Sequence, residues 1–92
     1  MSGGGGLKDA VMGWLISEVG TLTAPEIKNL ENVVVELIYG GLSSNSKETW
    51  GEAVLEKLTD DDGHAVPEYP VDLRRKVLPV VLFHEPSLGD NL

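Results

Sequence analysis

The amino-acid sequence predicts an all-α protein, a small compact four-helix bundle. Apolar residues recur at helical spacing in four segments, which are separated by glycine, proline or short polar stretches. One of these segments, within residues 23–39, also has recognisable signals for the start and the end of a helix. The 92 residues, 41% of them hydrophobic, suffice for one domain with one core. We therefore expect a helical domain at 7–84, a flexible glycine-rich leader at 1–6 and a tail at 85–92.

The first predicted helix runs from Leu7 to Val19. Its inner face has the helical period and comprises Leu7, Ala10, Val11, Trp14, Leu15 and Val19. Met12 and Ile16 widen the apolar arc to about two-thirds of the circumference, and a helix this apolar is usually buried on several sides. In a small domain such burial often requires a second subunit. We therefore predict a homo-oligomer that self-associates through Met12, Ile16 and Val19.

The second predicted helix lies within residues 23–39 and has the clearest boundaries. Thr23 followed by Glu26 forms a capping box, in which each residue bonds the backbone N–H of the other. Pro25 fits the first turn, where its missing N–H is not needed. Gly40 and Gly41 supply the positive φ that ends helices.

One face of the second helix carries an apolar stripe that should point into the core. Its members are Ile27, Leu30, Val33, Val34, Leu37 and Ile38. Val33, Val35, Leu37 and Tyr39 also alternate as in a strand, but the cap and the length favour a helix. Val35 and Tyr39 fall off the stripe and form a small second apolar patch.

The third predicted helix runs from Lys47 to Leu58, with Ser44 or Ser46 as its N-cap. Its inner face comprises Trp50, Val54 and Leu58. Its outer face carries a row of glutamates at every fourth residue, namely Glu48, Glu52 and Glu56. Like charges at this spacing are slightly destabilising. The row is typical of a solvated helix face, and it also fits a docking ridge for a basic partner.

A connector with an acidic beginning follows, and it predicts a turn. Asp60, Asp61 and Asp62 precede Gly63, as in many turns after a helix. An EF-hand calcium loop would need acidic residues where Leu58 and Tyr69 stand, so the spacing rejects it. Asp60 and His64 could share a zinc ion only within one helix, which Gly63 disfavours.

Pro70 and Asp72 can open the fourth predicted helix, which continues through Leu78. Pro79 removes one hydrogen bond and crowds the preceding turn. The helix is therefore expected either to end near Leu78, with residues 80–83 extended, or to continue with a kink.

No motif in the sequence carries recognisable chemistry. Cysteine is absent, His64 and His84 lie on different elements, and no phosphate-binding loop or nucleophile elbow is present. We predict no catalytic residue, no metal ligand and no cofactor, and therefore a protein that is not an enzyme. The lack of cysteine slightly favours a cytoplasmic location.

The charge bounds the possible partners. The net charge of −8 comes entirely from residues 1–70, where twelve acidic residues face four lysines. Such a body repels phosphate backbones, so direct nucleic-acid binding is not expected, and no apolar run is long enough for a membrane span. The sequence predicts a self-associating interaction module whose partner is another protein with a basic surface. The alternative is an acidic inhibitor, or nucleic-acid-mimicking decoy, at a basic site of a larger protein.

For this partner we expect a binding footprint on the acidic residues of the third helix and of the turn after it. These are Glu48, Glu52, Glu56, Asp60, Asp61 and Asp62.

Overall fold

A computed structural model describes residues 6–82, and within this range the protein is all-α without a β-strand. The helices are α1 (Gly6–Val19), α2 (Ala24–Tyr39), α3 (Lys47–Lys57) and α4 (Val71–Leu82). The predicted small helical bundle is thereby confirmed. Residues 1–5 of the predicted leader, residues 83–84 and the predicted tail at 85–92 lie outside the described residues.

The helices form a closed ring in which each one packs against the helix before and after it. α1 contacts α2, α2 contacts α3, α3 contacts α4, and α4 closes the ring against α1. The first two connections, residues 20–23 and 40–46, are short, so α1, α2 and α3 alternate in direction. α4 runs opposite to α3, because Arg74 near its start contacts Thr59 just after α3, whereas Val81 near its end lies close to Gly51. Consequently α1 and α3 begin at the same end of the bundle, and α4 ends there.

The core lies inside this ring and receives apolar side chains from every helix. Of residues 6–82, eleven hydrophobic residues are buried: Val11, Met12, Leu15, Leu30, Val33, Val34, Trp50, Val54, Leu58, Leu73 and Val77. Seven of them have no exposed surface at all. The predicted inner faces of α2 and α3 therefore do face the core, because their fully buried members are the residues of the predicted stripes.

The start of α2 is built as the sequence predicts, and its end uses one of the two glycines predicted to have a positive φ. The backbone N–H of Thr23 donates to Glu26 Oε1 at 2.9 Å, and the N–H of Glu26 donates to Thr23 Oγ1 at 3.4 Å. At the other end the N–H groups of Gly41 and Leu42 donate to the carbonyls of Ile38 and Leu37. These two bonds form a Schellman motif, and only Gly41 has the left-handed φ, at 104°. Gly40, which we expected to share this role, remains right-handed at −76°.

The start of α3 is fixed by two serines. Ser46 is the N-cap and its Oγ accepts from the backbone N–H of Thr49 at 3.1 Å. Ser44 stabilises the loop before it, because its Oγ accepts from the N–H of Ser46 and its carbonyl accepts from Trp50 Nε1 at 2.8 Å. The indole of Trp50 thus fills the core and also holds this loop.

α4 continues through Pro79 to Leu82, so the alternative with residues 80–82 extended is wrong. Packing explains the continuation. A β-carbon placed on Gly51 of α3 would lie 3.2 Å from Val81 Cγ2 and 3.5 Å from Trp14 Cη2. The last turn of α4 therefore lies directly on α3 and beside α1, and these contacts offset the hydrogen bond that Pro79 removes.

One charged side chain is buried among the described residues. Glu26 is 5% exposed, and its Oε1 accepts from Lys76 Nζ at 2.7 Å as well as from the backbone of Thr23. Lys76 also donates to the carbonyl of Thr21 at 2.8 Å. This cluster ties the middle of α4 to the connection between α1 and α2.

Candidate interaction surfaces

The outer face of α3 carries a row of exposed carboxylates, as the sequence predicts. Glu48, Glu52 and Glu56 are all exposed and succeed one another by one helical turn. Four residues correspond to a rise of about 6 Å along an α-helix. The three carboxylates therefore form one row along the helix surface, inclined by about 26° to the helix axis.

The turn after α3 continues this line with three aspartates. Asp60 is half-buried, and its Oδ1 accepts from the backbone N–H groups of Asp62 and His64, both at 2.9 Å. These bonds, chiefly the one from His64, hold the pKa of the Asp60 carboxyl below its usual value. Asp61 and Asp62 are exposed. We call Glu48, Glu52, Glu56 and Asp60–Asp62 together the acidic face.

The acidic face lacks ion pairs within residues 6–82. The four ion pairs of this range join Lys8 to Glu31, Lys57 to Glu36, Arg75 to Asp72 and Lys76 to Glu26. Arg74 lies beside the face, where it lines a shallow cleft with Glu52, Glu56, Asp60 and Asp61. Its Nε donates to Thr59 Oγ1 at 2.9 Å. The negative charge of the face is therefore mostly uncompensated by neighbouring side chains.

Three side chains of the turn lie close enough to share a cation. One ligand atom each of Asp60, Asp62 and His64 falls within 4.8 Å of the others. The sequence indicated no such group, because the residues meet through a tight turn rather than along a helix. Asp62 and His64 are exposed and Asp60 already accepts two backbone bonds. The same arrangement is explained by the turn alone, so it does not by itself indicate a metal centre.

The residues predicted for self-association share one face of α1 but differ in exposure. Met12 is 8% exposed and belongs to the core of its own subunit, so it offers little surface to a second copy. The reason is that α1 lies between α2 and α4, so its apolar arc is covered from two sides. Ile16 remains 37% exposed and Val19 is half-buried. On α2, the predicted second patch is exposed, with Tyr39 at 90% and Val35 at 36%.

An apolar groove opens where α1 and α3 begin, and the sequence did not predict it. Its volume is about 180 Å³. The lining residues on α1 are Leu7, Ala10, Val11 and Trp14, and those on α3 are Lys47 and Trp50. Lys47 Nζ lies 6.0 Å from the centroid of the Trp14 ring, at the outer limit of a cation–π contact. We call this feature the tryptophan groove.

Comparisons with known proteins provide no relative from which a role could be transferred. No protein-family model, no curated protein and no solved structure matches the chain. Within residues 6–82 no helix is both long enough and apolar enough to cross a membrane.

Proposed function

We propose that this protein is a small non-enzymatic interaction module that binds a basic surface of another protein through its acidic face. One observation carries the proposal: in residues 6–82 all ion pairs lie elsewhere, and the six carboxylates of the face have none. Glutamates one turn apart repel each other weakly, at a cost of about 0.2–0.5 kcal/mol per pair. A cationic partner would remove this repulsion when it binds.

The state of the carboxyl groups supports a binding role rather than a catalytic one. A catalytic acid usually needs burial that raises its pKa towards neutrality. The resolved shifts at Glu26, Glu31 and Asp60 all lower the pKa, because each carboxylate accepts hydrogen bonds. These three groups therefore stay ionised at neutral pH, and one of them, Asp60, belongs to the acidic face.

A second candidate function is a specific form of the first. The line of carboxylates along α3 and into the turn favours an inhibitor or decoy that occupies a nucleic-acid-binding site on a larger protein. Such a site is a basic groove that tracks a regular row of phosphates. A partner whose nucleic-acid binding is inhibited competitively by this protein would distinguish the decoy from a general interaction module.

Two variants of equal net charge test the proposal. The first is Glu48→Gln, Glu52→Gln, Glu56→Gln on the acidic face. The matched control is Asp9→Asn, Glu18→Gln, Glu68→Gln, which removes exposed acidic side chains outside the face. Each changes the net charge from −8 to −5, since three acidic groups are neutralised.

Proteins captured from a cell lysate by the wild type and by both variants are identified by mass spectrometry, and association rates are measured with the purified partner. We expect the control to retain the partner and the face variant to lose it. Association with the wild type should slow as salt rises, because charge mainly accelerates encounter over a Debye length of about 8–10 Å. Equal binding by both variants, at a rate indifferent to salt, would contradict the proposal.

A further inference from the structure

The tryptophan groove lies at the end of the bundle where α4 finishes. Val81 and Trp14 both lie close to Gly51, so the last turn of α4 ends beside Trp14, one of the residues that line the groove. The chain continues beyond Leu82 for ten residues, 83–92, with the sequence FHEPSLGDNL. An extended chain spans about 3.3–3.6 Å per residue, so three or four residues cover the width of a helix, about 10–12 Å. Residues 83–92 thus start within reach of the groove.

We propose that the tryptophan groove is the docking site for residues 83–92 of the same chain, with the ring of Phe83 as the anchor. The volume supports this occupant. An apolar cavity of about 150 Å³ holds one benzene molecule, and the groove has about 180 Å³. Phe83 is the only phenylalanine of the chain, and it directly follows Leu82 in the sequence.

Charge and composition favour residues 83–92 as the occupant of the groove over residues 1–5, the chain end that precedes α1. Residues 83–92 carry Glu85 and Asp90, and Lys47 stands at the rim of the groove over Trp14. Residues 1–5, which precede α1, offer only Met1 as an apolar side chain beside serine and glycines. Glycine has no side chain with which to fill an apolar cavity. The groove therefore matches residues 83–92 in both shape and charge.

Both tryptophans of the chain line the groove, and the fluorescence of Trp14 should report on its occupancy, because Trp14 is half-buried whereas Trp50 is only 2% exposed. The test uses the full chain with Phe83→Ser, and Leu82→Ser is the matched control. Leu82 is the adjacent residue and is 61% exposed on α4. We expect Phe83→Ser to shift the tryptophan emission to longer wavelength and to increase quenching by acrylamide. Leu82→Ser should leave both unchanged.

A synthetic peptide of residues 83–92 is then added to the Phe83→Ser protein. It should reverse the emission shift and the increase in quenching, and both effects should saturate as the peptide concentration rises. The same peptide with serine in place of phenylalanine should have no effect. If Phe83→Ser lowers the helical circular dichroism, recovery of that signal by the first peptide supports the docking, and failure to recover overturns it. Identical emission and quenching in the two variants would also overturn it. So would an emission maximum of the wild type that moves with protein concentration, because a second copy would then fill the groove.

Discussion

At the scale of single residues, Glu26 has two structural roles that depend on the same ionised carboxylate. It completes the cap of α2 by accepting from Thr23, and it accepts from Lys76 on α4. The bond from Lys76 is the main reason that the pKa of Glu26 lies below its usual value, followed by the backbone bond from Thr23. Protonation of this carboxyl therefore weakens the cap and the contact between helices together.

We expect Glu26→Gln to lower the free energy of unfolding at neutral pH by about 1.5–3 kcal/mol, the range for hydrogen bonds to charged groups. A carboxyl whose folded pKa is depressed contributes stability that is complete above the unfolded pKa, near 4.3. That contribution is lost as the pH falls through the lower, folded pKa. The difference between wild type and variant should therefore shrink in acid.

Urea denaturation of both proteins from pH 7 downwards measures this difference. Glu18→Gln is the control, because Glu18 is exposed and belongs to none of the ion pairs within residues 6–82. It should follow the wild type at each pH. A gap between Glu26→Gln and wild type that stays constant down to strong acid would show that the charge is not responsible.

Only one of the two structural roles of Glu26 could be predicted from the sequence. The spacing from Thr23 to Glu26 is local and encodes the capping box, so it could be predicted. The contact with Lys76 joins residues 50 positions apart. Its existence depends on where the fold places the middle of α4 relative to the start of α2, and no local pattern contains that information. The burial of Glu26 could not be predicted either, because a capping glutamate is usually exposed.

At the scale of elements, α2 shows how burial differs along one stripe. Leu30 has no exposed surface, whereas Leu37 is half-buried at the edge of the core. We expect Leu30→Ala to cost about 2–5 kcal/mol, because it leaves a cavity in a closed core. Leu37→Ala should cost less, about 1 kcal/mol, since part of its side chain already contacts water.

Denaturant midpoints for these two variants, with Lys28→Ala as an exposed control on the same helix, provide the measurement. The control should change the stability by no more than about 0.5 kcal/mol. Equal costs for Leu30→Ala and Leu37→Ala would mean that the stripe packs evenly, contrary to the structure.

The end of α4 is a case in which the local sequence allowed two different structures. A proline in mid-helix predicts either an end or a kink, and both were consistent with the sequence. What decided was the contact of Val81 with the backbone at Gly51, where the lack of a side chain lets α4 approach α3 closely. Gly51 lies in the middle of a helix and not in a turn, so its role in helix packing could not be predicted from the sequence.

At the scale of the whole molecule, the two candidate surfaces differ in how far they could be predicted. The acidic face follows from a spacing of four residues on one helix, a local rule that places its glutamates on one side. The tryptophan groove arises because α1 and α3 start at the same end of the ring. Trp14 and Trp50 were each consistent with a core position, and only the fold brings them together.

The ring also changes the expectation for assembly. Neighbours on two sides cover most of the apolar arc of α1, including Met12, and leave Ile16 with 37% of its surface in water. Self-association remains a prediction, and its surface is now smaller, with Ile16 at its centre and Val19 at its edge. A small contact of this kind would give a weak, concentration-dependent dimer rather than an obligate one.

We therefore expect light scattering to give a mass that rises above the monomer's 9.9 kDa with concentration. Ile16→Lys should return the protein to a monomer without loss of helix, because it places a charge in the contact between subunits. Val35→Lys is the matched control, since Val35 on α2 has nearly the same exposure, 36%, and should leave association unchanged. Met12→Glu should instead unfold the domain, as it buries a charge in the core. A wild type that stays at the monomer mass throughout, or equal dissociation by Ile16→Lys and Val35→Lys, would exclude assembly through α1.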